Sequence, residues 1–257
     1  MMKKKLFTLL FALVATITVQ AQEDTIDGHE YVDLGLPSGT LWASCNVGAT
    51  KPEEYGDYFA WGETKGYSSD TSDGHSFDWA NYKWCNGSYN SLTKYNYSSG
   101  NGTIDNKMEL DLEDDAAYGN WGSNWRMPSR EQQDELRQQC NWTWTTLNGV
   151  NGYRVTSKTN GNSIFLPAAG WRYGTSPDYA GSYGSYWSRS LDTYSPDYAY
   201  YLYFYSLSVD WANNTRDDGR SVRPVVAEDA ITDGIGVVSR ETITITVRTG
   251  IRSTARS

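Results

Sequence analysis

The stretch that most limits the fold is YYLYFY, residues 200–205, six bulky side chains in succession. A strand alternates its faces, so Tyr200, Leu202 and Phe204 point one way and Tyr201, Tyr203 and Tyr205 the other. The first set reads as a core face. The second needs its own explanation, either a surface that binds something or a layer packed above the strand. The polar run that follows, NNTRDDGR (213–220), favours a surface.

The chain begins MMKKKLFTLLFALVATITVQAQ. Three lysines precede an apolar run from Leu6 to Val19, and Val19-Gln20-Ala21 carries the small-residue pattern of a cleavage site. This reads as a secretory signal peptide cut after Ala21. The expected mature chain starts at Gln22, is secreted or displayed at the cell surface, and has no transmembrane span. Of 22 Lys and Arg residues three lie in the leader, leaving 19 against 31 Asp and Glu, a net charge of −12. So acidic a chain is a poor partner for nucleic acid or for anionic membranes.

Eleven Trp, 20 Tyr and 24 Gly point to short strands, tight turns and aromatic packing rather than a helical bundle. Cys45, Cys85 and Cys140 are widely spaced. An odd count leaves at least one thiol unpaired, and buried small hydrophobes are as good a reading as a bridge.

Along the chain, residues 30–48 suggest two strands about the turn Pro37-Ser38-Gly39, and residues 65–103 read as loop. Two helices are expected. In 108–122, Asp111, Glu113, Asp114 and Asp115 precede Ala116-Ala117, as suits a helix N-terminus; in 127–140, Ser129 and Gln132 form a capping pattern. Residues 141–157 read as two strands about an Asn-rich turn, 162–172 as a strand bearing a proline, and 199–212 as a hairpin turning near Ser206-Leu207-Ser208. The fold class that follows is α+β, antiparallel strands with two helices inserted early. The expected divisions are a signal peptide (1–21), a linker (22–28), a domain (29–226), and a linker with a tail (227–257), in which Thr242 to Val247 alternate as a strand would.

The phrases EYVDLGLPSGTLWASCNVGA (30–49), EYGDYFAWGET (54–64), NWRMPS (124–129), NSIFLPAAGWR (162–172), YWSRSL (186–191) and SVRPV (221–225) occur in this order. Together they resemble the Fibrobacter succinogenes major paralogous domain family of secreted Bacteroidetes proteins, over about residues 29–226. The resemblance implies a C-type-lectin-like α+β fold with its N- and C-terminal strands side by side. Similar folds occur in formylglycine-generating enzymes and in receptors whose C-terminal stretch a diversity-generating retroelement rewrites at adenine positions. By that resemblance Tyr186, Trp187, Ser188, Leu191, Tyr200, Leu202, Phe204, Val209, Trp211 and Gly219 are scaffold. Ligand-binding, and hypervariable in such receptors, are Arg189, Asp192, Tyr194, Tyr198, Tyr201, Tyr203, Tyr205, Asp210, Asn213, Asn214, Asp217, Asp218 and Arg220.

Tyrosine gives a large rigid contact area, and Asp, Asn and Arg beside it orient a ligand by hydrogen bonds. The ligand expected is an unidentified protein or carbohydrate, with no cofactor. The acids at 111–115 and Asp217-Asp218 are the places where calcium would bind. Neither the sugar-lectin signatures nor an EF-hand loop is present, and helix-dipole complementarity explains the first cluster, so no metal is expected. Catalysis is not expected either. His29 and His75 sit in polar loop contexts, no nucleophile or zinc motif is present, and the late cysteine pair of formylglycine-generating enzymes is missing. The alternatives are a structural or adhesive surface component and, more weakly, a carbohydrate-active enzyme using a pair of carboxylates.

Overall fold

The computed structural model describes residues 24–70 and 74–232. The N-terminal leader and the tail beyond 232, with the strand expected at Thr242 to Val247, lie outside the described residues. The chain first lays down β1 (Thr25–Ile26), β2 (His29–Asp33), β3 (Leu41–Ala43) and β4 (Tyr58–Phe59). After a long irregular stretch come α1 (Ala116–Trp121), β5 (Trp125–Arg126) and α2 (Arg130–Gln139). Strands β6 (Cys140–Leu147), β7 (Val150–Ser157), β8 (Ser163–Pro167), β9 (Trp171–Tyr173) and β10 (Ser176–Asp178) follow. The chain then forms β11 (Tyr183–Leu191), β12 (Tyr198–Tyr205), β13 (Ser208–Thr215), β14 (Arg220–Ser221), β15 (Val225–Val226) and α3 (Glu228–Thr232).

This architecture is mostly β, and it corrects the α+β, lectin-like expectation. Among the described residues fifteen strands fall into four sheets, while helix is limited to α-segments of six, ten and five residues and a 3-10 turn at Leu112–Asp114. The acid run explains the shortfall. Asp111 to Asp114 are used by the 3-10 turn, and Asp115 caps α1 by accepting from the backbone N–H of Ala117 and Tyr118. The same carboxylate also holds the N–H of Met127, and Gly122 at φ 98° ends the helix after six residues. Within the expected span 127–140, α2 forms as ten residues from the Ser129–Gln132 capping box, which closes in both directions.

One sheet runs β1-β2-β3-β15-β5, so the first strands and the last lie together, with Val225 opposite both Trp42 and Arg126. A second runs β13-β12-β11-β14-β4 and joins the C-terminal hairpins to β4 from the first half of the chain. Strands β6, β7 and β8 form a third, and the hairpin β9–β10 a fourth. Chain on both sides of the expected domain is drawn in: β1 pairs with β2, and Ala227 and Ala230 pack into the core. All three cysteines are free thiols, and burial pushes the Cys140 thiol up to about 11. Among the described residues no helix is long and apolar enough to cross a membrane.

The inner face of β12 is filled as the alternation predicts. Tyr200, Leu202 and Phe204 are buried, and the Phe204 ring lies over the backbone of Gly184 on β11, where a Cβ would come within 1.9 Å of it. Four arginines, Arg172, Arg216, Arg220 and Arg223, are also fully buried. Arg223 donates to the side-chain oxygen of Asn46 (2.8 Å) and to the carbonyls of Ala43 (3.2 Å), Ser44 (2.8 Å) and Phe165 (3.0 Å). Replacing it by Met leaves these acceptors without donors. A loss of about 3 kcal/mol is expected, read as a lower urea midpoint at unchanged slope.

Candidate functional site

The pairing of β11, β12 and β13 decides which residues share the outer face. Tyr183 stands opposite Tyr205, Ser185 opposite Tyr203 and Trp187 opposite Tyr201; across β13 the partners of Tyr201, Tyr203 and Tyr205 are Ala212, Asp210 and Ser208. Tyr201, Tyr203 and Tyr205 are half-buried, in contrast to their fully buried neighbours Leu202 and Phe204. They lean on one another: Tyr183 stacks on Tyr203 at 5.7 Å and 22°, and Tyr203 lies 5.9 Å from Tyr205. The contacts between neighbouring rings run from stacked to tilted to edge-on, so this face is a row of interlocked phenols rather than a flat platform. Burial first, then the neighbouring phenols, pushes the Tyr203 hydroxyl above its ordinary value.

Toward β14 the face becomes charged beneath its aromatic cover. The Arg220 guanidinium lies 4.0 Å from the centre of the Tyr201 ring and 4.8 Å from that of Trp187. It donates to Asp218 at 2.8 Å and to the Ser185 hydroxyl, while its Nε–H has no partner. Beyond Asp218 a cleft of about 280 Å3 opens between Trp171, Tyr173 and Asp178 of the β9–β10 hairpin and Asn214, Thr215 and Asp218. Trp171 joins face to cleft, since its ring is 6.1 Å from Tyr183 and 5.8 Å from Arg220. Tyr179 stacks on Trp171 at 4.9 Å, and Tyr173 is 62% exposed. Burial outweighs the ion pair at Asp218 and pushes its carboxyl up to about 6; burial also pulls Arg220 below its usual value.

Of the residues expected to bind ligand, the structure brings Tyr201, Tyr203, Tyr205, Asp210, Asn214, Asp218 and Arg220 to this side of the sheet. The others go elsewhere. Asp192 is fully buried and organises its own loop, accepting from the N–H of Tyr194 (2.7 Å), the N–H of Ser195 (2.8 Å) and the Asn213 side chain (2.7 Å). Asn213 and Tyr198 thereby lie on the inner side, opposite Tyr200 and Thr215 respectively. Tyr194 is 89% exposed, on the loop that Asp192 ties down. Asp217 is buried with one carboxylate oxygen lacking a partner, and burial raises its pKa. Arg189 sits in a separate pocket of about 420 Å3, donating to Gln132 (3.1 Å) and the Met127 carbonyl (3.1 Å) beside Glu109 (3.4 Å).

Sequence reasoning missed Trp171, Tyr173, Asp178 and Tyr183. The available signal was the W-x-Y alternation between Gly170 and Gly174, which marks a very short strand. His29, on β2, stacks on Trp121 at 3.8 Å, and His75, in irregular chain, stacks on Tyr67 at 3.6 Å; both are partly buried. Asp111, Glu113 and Asp114 do converge, but the Lys94 ammonium lies 2.6 Å from both Asp111 and Asp114, where a cation would sit.

A family model for a domain of unknown function, DUF8237, matches residues 143–225. That segment starts within β6 and ends at β15, and so takes in both the tyrosine face and the cleft. No curated protein and no solved structure matches the chain.

Because the Asp218 carboxyl is raised in the fold, the native protein holds a proton there that the unfolded chain has released between pH 4 and 6. Its contribution to stability is therefore present below about pH 4 and lost as pH rises through about 6. Wild type should lose about 3 kcal/mol more than Asp218→Asn between pH 4 and 7, measured by urea unfolding at each pH.

Proposed function

We propose that this is an exported ligand-binding protein whose recognition surface is the outer face of β11–β13 together with the adjoining cleft. One observation carries the reading. The same strand, β12, buries Tyr200, Leu202 and Phe204 completely, yet leaves Tyr201, Tyr203 and Tyr205 half-exposed. Large rigid side chains with polar tips, kept at a surface beside Asp210, Asn214 and a cleft, are the makings of a contact site. The basic, apolar leader and the strongly acidic mature chain support export. Binding without turnover is the function this arrangement serves, with Asp178 and Asp218 as hydrogen-bond acceptors.

If the surface is diversified, its changeable positions are those on the outer face that touch little of the core, namely Tyr203, Tyr205, Asp210, Ala212 and Asn214. Asp192, Asp218 and Arg220 are buried and bonded, and altering them would disturb the fold. Sequencing the DNA beside the gene tests this: a reverse transcriptase and a template copy differing at adenines in those codons are expected. Template differences concentrated in the codons of the buried set would count against it.

Two further outcomes are expected. The protein recovered from the cell surface or medium should begin at Gln22, as read by mass spectrometry of its N-terminal peptide. The double change Tyr203→Ser with Tyr205→Ser should abolish capture of the purified protein on immobilised glycan and protein panels. It should cost only about 1–2 kcal/mol of stability, because both rings lie at the surface. Capture that survives the double change places recognition elsewhere.

A further inference from the structure

We infer that the cleft between the β9–β10 hairpin and the end of β13 binds one ring of a neutral oligosaccharide, whose remaining units run over the tyrosine row. This deepens the binding function proposed above and rests on it. The argument starts from what the cleft offers a ligand. Asp178, Asp218, Thr215 and Asn214 line it with polar residues, while Trp171 and Tyr173 line it with aromatic ones. Such an inventory is rich in acceptors and suits a ligand rich in donors, which sugar hydroxyls are. Tyr173 is largely exposed, so an apolar ligand face can pack on its ring without displacing another side chain.

Charge narrows the class further. No lysine or arginine lines the cleft, and the nearest guanidinium, Arg220, is 1% exposed and lies against the Tyr201 ring. Phosphate, sulfate and carboxylate ligands would meet Asp178 and Asp218 with no cation to receive them. A cationic ligand fits less well than a neutral one. Asp218 is already paired with Arg220 at 2.8 Å, so only Asp178 brings uncompensated charge, and Trp171 has one face covered by Tyr179. A hydroxyl both donates and accepts, so it can pair with Asp218 whether that carboxyl is ionised or protonated.

The length of the ligand follows from the neighbourhood of Trp171. Its ring stands close to both Tyr183 and Arg220, and from Tyr183 the phenols of Tyr203 and Tyr205 continue across β12. Their hydroxyls extend the hydrogen-bonding inventory of the cleft along the sheet. Shape and chemistry together therefore favour a chain of sugars over a single one.

The test is titration calorimetry of the mature chain with cellohexaose, xylohexaose and mannohexaose as neutral probes, oligogalacturonate as the anionic probe and chitosan hexamer as the cationic one. At least one neutral hexamer is expected to bind, more tightly than either charged probe. Tyr173→Ala, at an exposed position, should weaken that binding by roughly tenfold or more while leaving the melting temperature unchanged. Asp178→Asn should weaken it less, since an amide oxygen still accepts. The inference is overturned if no neutral hexamer binds at about 1 mM, if chitosan or oligogalacturonate binds best, or if Tyr173→Ala has no effect. Capture of a protein ligand that depends on Tyr203 and Tyr205 would also overturn it, yet would leave the binding surface standing. If nothing that binds depends on Tyr203 and Tyr205, the broader reading fails as well.

Discussion

Four buried guanidinium groups hold this molecule together. Long stretches of the chain are neither helix nor strand, and their carbonyls need donors once water is excluded. Arg216 donates to the carbonyls of Tyr95 and Lys94, Arg172 to those of Ser68 and His75, and Arg223 to those of Ala43, Ser44 and Phe165. Arg220 is bonded to the Asp218 carboxylate. Burying a guanidinium costs several kcal/mol, and the fan of charge-assisted bonds to loop carbonyls offsets it. Sheets alone would leave these loops unanchored.

The same economy shapes the outer surface. The tyrosines of β12 are fixed by one another and by the strand register, while Arg220 beneath them stiffens the floor. A contact surface built this way is ordered before a ligand arrives, so little rotamer freedom is lost on binding. The cleft at its end is formed by backbone elements that Arg172 and Gly219 join through paired N–H and carbonyl groups.

Much of this was legible in the sequence where the information is local. The alternation at 200–205, the Ser129–Gln132 cap and the Asn-rich turn within 141–157 each depend on residues a few positions apart, and each sets its own geometry. What was not legible depends on distant partners. Charge type suggested that Asp217, Asp218 and Arg220 are solvated, but all three are buried, and Arg220 is enclosed by Ser185, Tyr201 and Trp187, which arrive from elsewhere in the chain. Strands of two residues, such as β4 and β14, carry no periodicity of their own, and their pairing fixes the edge of the central sheet. The weight of helix was overread for a related reason: the acids at 111–115 signal a helix start, and nothing nearby sustains the helix for more than six residues.

The placement of the guanidinium clamps sets the order in which the molecule can become whole. All four sit at or after residue 172, and three lie within the short stretch from Arg216 to Arg223. Most of the carbonyls they hold belong to chain made much earlier, before residue 100. The first half of a nascent chain thus has its loops but not the donors that fasten them, and β3 still lacks its neighbour β15. Closure is a late and collective event, completed by the last few strands, and the chain stays open along much of its length until they emerge.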